Sequence, residues 1–321
     1  MFDIITIGTA TRDIYMKSKD FDVKKDIRFP SGESMAFEAG SKTEIDEMIF
    51  ETGGGATNSA VTFARAGLRV ASCFKVGGDV AGKDILSSLK KENIKIHLAK
   101  KNGNNSTSLS IIFLSEAGER NIFVHRGALI DGADINFKKL RPRWLYVSSV
   151  GGNVELLDRI ASFVINKNIK LAFNPGSTEL KLGAKRLFNI FNATKILILN
   201  RKEASELMGI PYNYRKTIFR QSCGITPGIE VITDGKDGAY VADEGRAYKI
   251  KTHDWPLVDR LGAGDAFGSG FVAGYIKHKS IEKALQYAAT NASSVVGKVG
   301  AKTGIIKNFP SKPLKVRTER L

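Results

Sequence analysis

The stretch VDRLGAGDAFGSGFVAGY, Val258 to Tyr275, holds five glycines and two aspartates, Asp259 and Asp265. An interior glycine costs a helix about 1 kcal/mol relative to alanine, yet Ala266 to Lys277 otherwise reads as an apolar helix. A glycine-rich turn entering a helix points unpaired backbone N–H groups at one spot, at the positive end of the helix dipole. Gly262, Ala263 and Gly264 would form such an anion hole, small enough to let phosphate oxygens reach the backbone. Asp265, just inside the helix, can accept a proton from a substrate hydroxyl, whose oxygen then attacks a phosphoryl group held over the amides. A plainer reading rests on the same residues: Asp265 caps the helix and the glycines permit tight packing. Gly268, Gly270 and Gly274 are expected to serve close packing in either case.

Other chemistries lack their residues. There is no GxxxxGK[ST] loop, no G-x-S-x-G elbow and no H-E-x-x-H, and the four histidines are dispersed. The glycines at 262–268 are spaced G-x-G-x-x-x-G, which is not the dinucleotide fingerprint. DGKDGAY at 234–240 matches a calcium loop poorly, because Lys236 and Gly238 stand where carboxylates are needed, and it reads better as a turn. The net charge of +16 invites a nucleic-acid-binding alternative of a different class. The lysines are scattered, however, and no zinc-finger, RNP1-like or basic-zipper pattern occurs, so a field that attracts phosphates serves as well.

The elements that must position these residues follow from periodicity. Residues 3–9 read as a buried strand, and GGGATNSAVTFARAG as a glycine turn leading into a helix that ends at Gly67. Strands at 70–76 and 94–99 flank a helix over 81–93. TSLSIIFL and RNIFVHR read as a hairpin around SEAGE. From about 140 the chain alternates strand and helix, with helices over 154–166, 179–191, 201–209, 265–277 and 281–298, the last capped by Ser280. Such alternation argues an α/β fold with a mainly parallel sheet. The half-exposed strands within about 33–53 and 107–126 are expected to form a small antiparallel appendage, and 311–321 a basic frayed tail. Two distant cysteines, Cys73 and Cys223, suit a reducing compartment. No apolar run reaches about 18 residues and the N-terminus is no signal peptide, so a cytoplasmic protein with no membrane partner is expected.

DRLGAGDAFGSGFVAGY resembles the C-terminal signature of the ribokinase (PfkB-type) family of carbohydrate kinases, D-T-x-G-A-G-D-x-F-x-x-G, at Asp259, Gly262, Ala263, Gly264, Asp265, Phe267 and Gly270. Other segments resemble family features in the same order. GGGATNSAVTFARAG is similar to the N-terminal signature, whose glycines and asparagine, here Gly54, Gly55 and Asn58, meet the sugar. GTATRD is similar to the end of the first strand, with Asp13 at the sugar hydroxyls. NRKE resembles N-x-x-E, implying Asn200 and Glu203 near magnesium and phosphate. ITDGKDGAY resembles the nucleotide strand, implying Thr233 and Gly235 near the nucleotide phosphates. From the residues alone, Asp13 could equally cap a turn, Asn58 cap its helix and Glu203 be a solvated first-turn glutamate. The similarity spans roughly 3–310.

The resemblance implies a single three-layer αβα ribokinase-like domain over 1–310 with a β lid, and ATP with Mg²⁺ as cofactors. It implies Asp265 as general base, the 262–264 amides as anion hole, and Asn200 and Glu203 as magnesium ligands through water. Some members use a monovalent cation such as K⁺ beside the anion hole; Asp259 and segment 295–304 are its expected place here. The chain departs from the family at Arg260, where threonine is commoner, and at Ala289, where the last helix often carries an asparagine near adenine; Asn291 follows two residues later. Asp234 and Asp237 add negative charge beside the nucleotide strand. A small sugar is the expected acceptor and a nucleoside the alternative. Arg126 is a candidate contact for an anionic sugar, Phe37 and Phe50 are candidate aromatic platforms, and a homodimer through the exposed lid strands is expected.

Overall fold

Ile4 and Ile5 are adjacent and both fully buried, in two different cores. Side chains on a strand alternate between faces, so this strand is covered on both sides, as a central parallel strand is. The computed structural model describes all residues except 30–31, 116–119, 244 and 321. Its main sheet has nine strands in the order 317–320, 246–250, 239–243, 229–233, 196–200, 170–173, 142–147, 2–7 and 70–73. The strands from Ile229–Thr233 to Val70–Cys73 pair in parallel. The remaining edge is antiparallel. One core packs the sheet against helices Gly55–Arg65, Val80–Lys91, Ala263–His278 and Ile281–Val296. The other packs it against Val154–Lys167 and the shorter helices that follow it.

A second sheet of four strands, ordered Arg120–His125, Ser108–Leu114, Thr11–Lys17 and Glu47–Gly53, forms the lid. The expected hairpin is present with its two strands in register; the tip of its loop, 116–119, lies outside the described residues. Thr11–Lys17 corrects the sequence reading. Asp13 does not end the first strand but sits in the middle of the lid sheet, because the chain turns at Gly8 (φ +153°) and starts a new strand. A Cβ at Gly8 would lie 2.0 Å from the Ser148 hydroxyl, so only glycine fits. The alternation of buried Asp13 and Tyr15 with half-buried Ile14 and Met16 is the strand's signature.

Three further expectations change. Residues 94–99 give one isolated bridge, Ala71 to Lys95, and no strand. The helix over 179–191 is two short helices, Ser177–Leu180 and Phe188–Asn192, separated around Gly183 at φ +80°. Within the tail expected to fray, Arg317–Arg320 instead pairs antiparallel with Arg246–Ile250, and Lys249 ion-pairs with Glu319. The packing role of the later glycines holds. A Cβ at Gly270 or Gly274 would approach the Cα of Ala288 or Ala284 within 3.1 and 2.8 Å. Among the described residues no helix is long and apolar enough to cross a membrane.

Candidate active site

Gly262 caps the 16-residue helix Ala263–His278 with φ +77° and no side-chain hydrogen bond. Its hypothetical Cβ would lie 2.4 Å from the Ala301 Cβ, so the turn is pressed against segment 300–302 from below. At Gly264 a Cβ would meet nothing within 4 Å. The first-turn N–H groups of Gly264 and Asp265 meet no acceptor among the described residues, as the start of a helix dictates. The floor is thus tight on one side and open on the other.

Asp265 follows in the first turn. Its Oδ2 accepts from Asn58 Nδ2 at 2.8 Å, a bond spanning 207 residues. An ionised carboxylate can only accept, which fixes the amide orientation. Asn58 is buried, and its Oδ1 has no partner among the described residues. A buried acceptor left so costs about 1–3 kcal/mol, and a substrate hydroxyl would satisfy it. Burial raises the Asp265 carboxyl above its ordinary range and the charge of Asp13 adds to the rise, while Asn58 and Lys302 oppose it. That direction suits a base working near neutral pH.

The glycine turn 53–55 closes the other wall. A Cβ at Gly53 would lie 2.0 Å from the Asp13 carboxylate, and one at Gly54 (φ +97°) 2.6 Å from the backbone of Thr9 and Ala10. One at Gly55 would crowd Ser148 and stand 3.7 Å from Asp265 Oδ1. Asp13 accepts from Thr11 Oγ1 at 3.1 Å and from Ser110, and burial raises its carboxyl.

A cavity of about 260 Å³ at the carboxyl ends of the parallel strands is lined by Gly55, Asn200, Glu203, Thr233, Gly264 and Asp265, with Ser148, Ser149 and Asn174 among its other walls. Asn200 and Glu203 form a capping box on helix Arg201–Met208: Asn200 Oδ1 accepts from Glu203 N at 2.9 Å and Glu203 Oε2 from Asn200 N at 2.8 Å. The two therefore cap the helix and face the cavity. Burial pushes the Glu203 carboxyl up to about 7. Among the described residues no three acidic, histidine or cysteine side chains converge to cage a metal. Hard oxygens from Asn200 and Glu203 nevertheless fit Mg²⁺, which keeps its waters and is shared with substrate phosphates.

Gly235 (φ +55°) turns the chain just beyond Thr233 with open space around it. Asp234 beside it is neutralised by Arg201 at 3.0 Å and Arg215 at 2.7 Å, which removes the negative charge expected there. Asn291 is fully buried, donates to Ala266 O and accepts from Ile306 N, so its role is packing. Arg126 is exposed at the end of the lid's edge strand and does not line the cavity. Phe37 packs on Phe21 and Phe113 inside the lid, and Phe50 lies under Arg12.

Asp259 is buried and its carboxylate is already taken. Oδ1 accepts from Arg120 at 3.2 Å and Leu261 N at 2.9 Å; Oδ2 accepts from Tyr15 Oη at 2.9 Å and Gly300 N at 3.2 Å. This set leaves its side chain poorly suited to a monovalent cation, because one donor is itself a cation. Tyr15, Arg120 and Lys302 carry no motif in the sequence; only the period-2 pattern of residues 11–17 hints at Tyr15.

The profile of the pfkB family carbohydrate kinases matches residues 1–308. An uncharacterised sugar kinase of Archaeoglobus fulgidus is 28% identical over 251 residues, 75% of this chain and 97% of that protein. The structure of Arabidopsis thaliana ribokinase complexed with ribose and ATP superposes with a TM-score of 0.77 at 19% identity, covering 94% and 95% of the two chains. The nucleoside kinase of Methanocaldococcus jannaschii, described as an archaeal member of the ribokinase family, superposes at 0.73 with 23% identity and 95% of each chain. With a family profile running over nearly its whole length on a ribokinase fold, the chain belongs to the pfkB family of carbohydrate kinases, phosphotransferases that act on a sugar hydroxyl.

Proposed function

We propose that the chain transfers the γ-phosphoryl group of ATP to a hydroxyl of a small sugar. The observation that carries this reading is Asp265, held by Asn58, beside the open N–H of Gly264 and the glycine turn 53–55. The acceptor hydroxyl lies between Asp13, Asn58 Oδ1 and Asp265. Asp265 takes its proton as the oxygen attacks, and the 262–264 amides stabilise charge on the transferring group. Mg²⁺, when bound, neutralises the phosphate oxygens. Asn200 and Glu203 would hold it, and Thr233 and Gly235 would position the nucleotide phosphates. The lid excludes water and so limits hydrolysis of ATP.

The sugar is favoured over a nucleoside because the matching family is one of carbohydrate kinases and the groups assigned to the acceptor hydroxyl, Asp13, Asn58 Oδ1 and Asp265, are all polar. Met48, Phe50 and Phe123 are exposed on one face of the lid sheet, and we assign that face to a homodimer. A reducing, ATP-rich cytoplasm suits the two free cysteines. The test is ATP consumption across a panel of sugars and nucleosides, with Asp265→Asn as control. A sugar is expected to give turnover and the variant to lose about 10²–10⁴-fold. Turnover confined to nucleosides would replace the acceptor, and a variant at the wild-type rate would remove the base.

A further inference from the structure

Lys302 is a lysine with 6% of its surface exposed, in the small-residue segment 299–304 under the anion loop. Its ammonium donates to the carbonyl oxygen of Thr52 and, at 3.0 Å, to Thr52 Oγ1, across 250 residues. Its own carbonyl is gripped by Arg65, which reaches Lys302 O at 3.0 Å and Ile305 O at 2.9 Å and is braced by Glu92 at 2.6 Å. The residues just before it complete the contact. Ala301 packs on Gly262, Gly300 N donates to Asp259, and a Cβ at Gly300 would lie 3.0 Å from Glu51. The segment therefore joins the underside of the anion loop to the end of the lid strand that carries Glu51 and Thr52. The acids whose charge it feels most are Asp13, then Glu51, Asp265 and Glu92.

A buried ammonium is costly unless acids compensate it, so this charge exists for those carboxylates and they for it. Asp13 and Asp265 would otherwise repel each other in a cleft emptied of water. The place expected for a monovalent cation, Asp259 with segment 295–304, thus holds two cations of the chain itself: the Arg120 guanidinium on Asp259 and the Lys302 ammonium on Thr52. We propose that Lys302 is a tethered cation of this site, a positioning residue that, held on Thr52, supplies a fixed positive charge to the acceptor-side and base-side carboxylates, so that the enzyme works without a monovalent cation. The inference rests on the kinase reading for its effect on turnover, while the absence of a cation site can be read independently of it.

The test compares wild type with Lys302→Met and Lys302→Arg at constant ionic strength, exchanging tetramethylammonium for K⁺ up to about 100 mM, where surface charges are screened alike. Two quantities are read: kcat and acceptor KM with ATP and Mg²⁺, and the thermal midpoint without substrate. Wild type is expected to show the same kcat and the same midpoint in both salts, since an ion that does not bind the native state cannot stabilise it. Lys302→Met is expected to lose about 10–100-fold in kcat, in the range of one removed electrostatic contact, with a smaller change in KM. Lys302→Arg is expected to keep more of kcat than the Met variant. K⁺-specific stimulation of wild type, or a K⁺-specific rise in its thermal midpoint, overturns the proposal, and neither needs a variant to fold. A folded Lys302→Met with wild-type kcat overturns it as well. If no acceptor gives turnover, the kinase reading fails, whereas the K⁺-dependent midpoint still decides whether a cation site exists.

Discussion

The two walls of the cleft are built on different principles. The floor, 262–274, is backbone: Gly262 takes a left-handed turn, Gly264 leaves its N–H open, and Gly270 and Gly274 let two helices touch. The lid wall is side chains: Asp13, Tyr15, Glu51 and Arg120 come from three strands and reach across to Asp259 and Lys302. A backbone site binds what every phosphoryl donor shares. A side-chain site can vary without disturbing the fold, so it is where acceptor choice and charge balance are set.

Substitutions within the floor separate its two functions and should give the largest effects. Gly264→Val places a side chain in open space at the anion hole, so the thermal midpoint should hold or rise while kcat falls about 10²-fold, the scale of one lost oxyanion donor. Gly274→Ala should do the opposite. Its Cβ would stand 2.8 Å from the Ala284 Cα, and the overpacking should destabilise by about 1–3 kcal/mol with kcat of the folded enzyme unchanged. Denaturant unfolding and steady-state kinetics on both variants check this. Equal effects of the two substitutions on kcat would remove the distinction between the catalytic and packing glycines.

That division explains what the sequence made legible. The floor depends on residue types in consecutive positions, so Gly262, Gly264, Asp265 and the capping box at Asn200 and Glu203 are visible as local patterns. Local competition misleads there only mildly: Glu203 is the first-turn glutamate of its helix and also lines the cavity. The main sheet is legible for the same reason, through strands buried on both faces. The lid is not. Thr11–Lys17 is half-exposed, and the turn at Gly8 that creates it is dictated by contact with Ser148, which lies far along the chain. The Arg120–Asp259 and Lys302–Thr52 contacts join residues 139 and 250 apart, and no spacing rule encodes them.

The comparison also has a pH signature of intermediate size. Asp265 is raised by burial, so kcat/KM should fall on the acid side as this base gains its proton. Lys302 is pushed down to about 8 by burial, so an alkaline limb near there should follow as the tethered charge is lost. The carboxylates whose charge favours the Lys302 ammonium are Asp13, Glu51, Asp265 and Glu92. Stability should respond with the other sign. Between about 8 and the ordinary 10.5 the folded state holds fewer protons on Lys302 than the unfolded chain, so this group's contribution to stability rises with pH. Asp265 acts oppositely, its folded-state proton favouring the fold at low pH and losing that advantage as pH rises through its raised value. Rate profiles and thermal midpoints measured together should therefore diverge above pH 8, and Lys302→Arg should move the alkaline limb upward. A limb that stays in place in the arginine variant belongs to another group.

The smallest effect is expected where the walls are latched. Tyr15 Oη donates to Asp259 Oδ2 at 2.9 Å from the middle of the lid sheet. Tyr15→Phe removes that donor but leaves three others on the same carboxylate, Arg120, Leu261 N and Gly300 N. The loss should be about 0.5–1.5 kcal/mol, one ordinary hydrogen bond, because Asp259 stays paired. The aromatic ring remains to fill the buried position, so no cavity adds to the cost. If the latch holds the lid over the acceptor, the variant should raise acceptor KM several-fold with kcat nearly unchanged, since the floor that carries the phosphoryl group is untouched. A drop in kcat at constant KM would instead mean that the lid wall and the anion loop act as one unit through Asp259, and the separation of the two walls would fail at that residue.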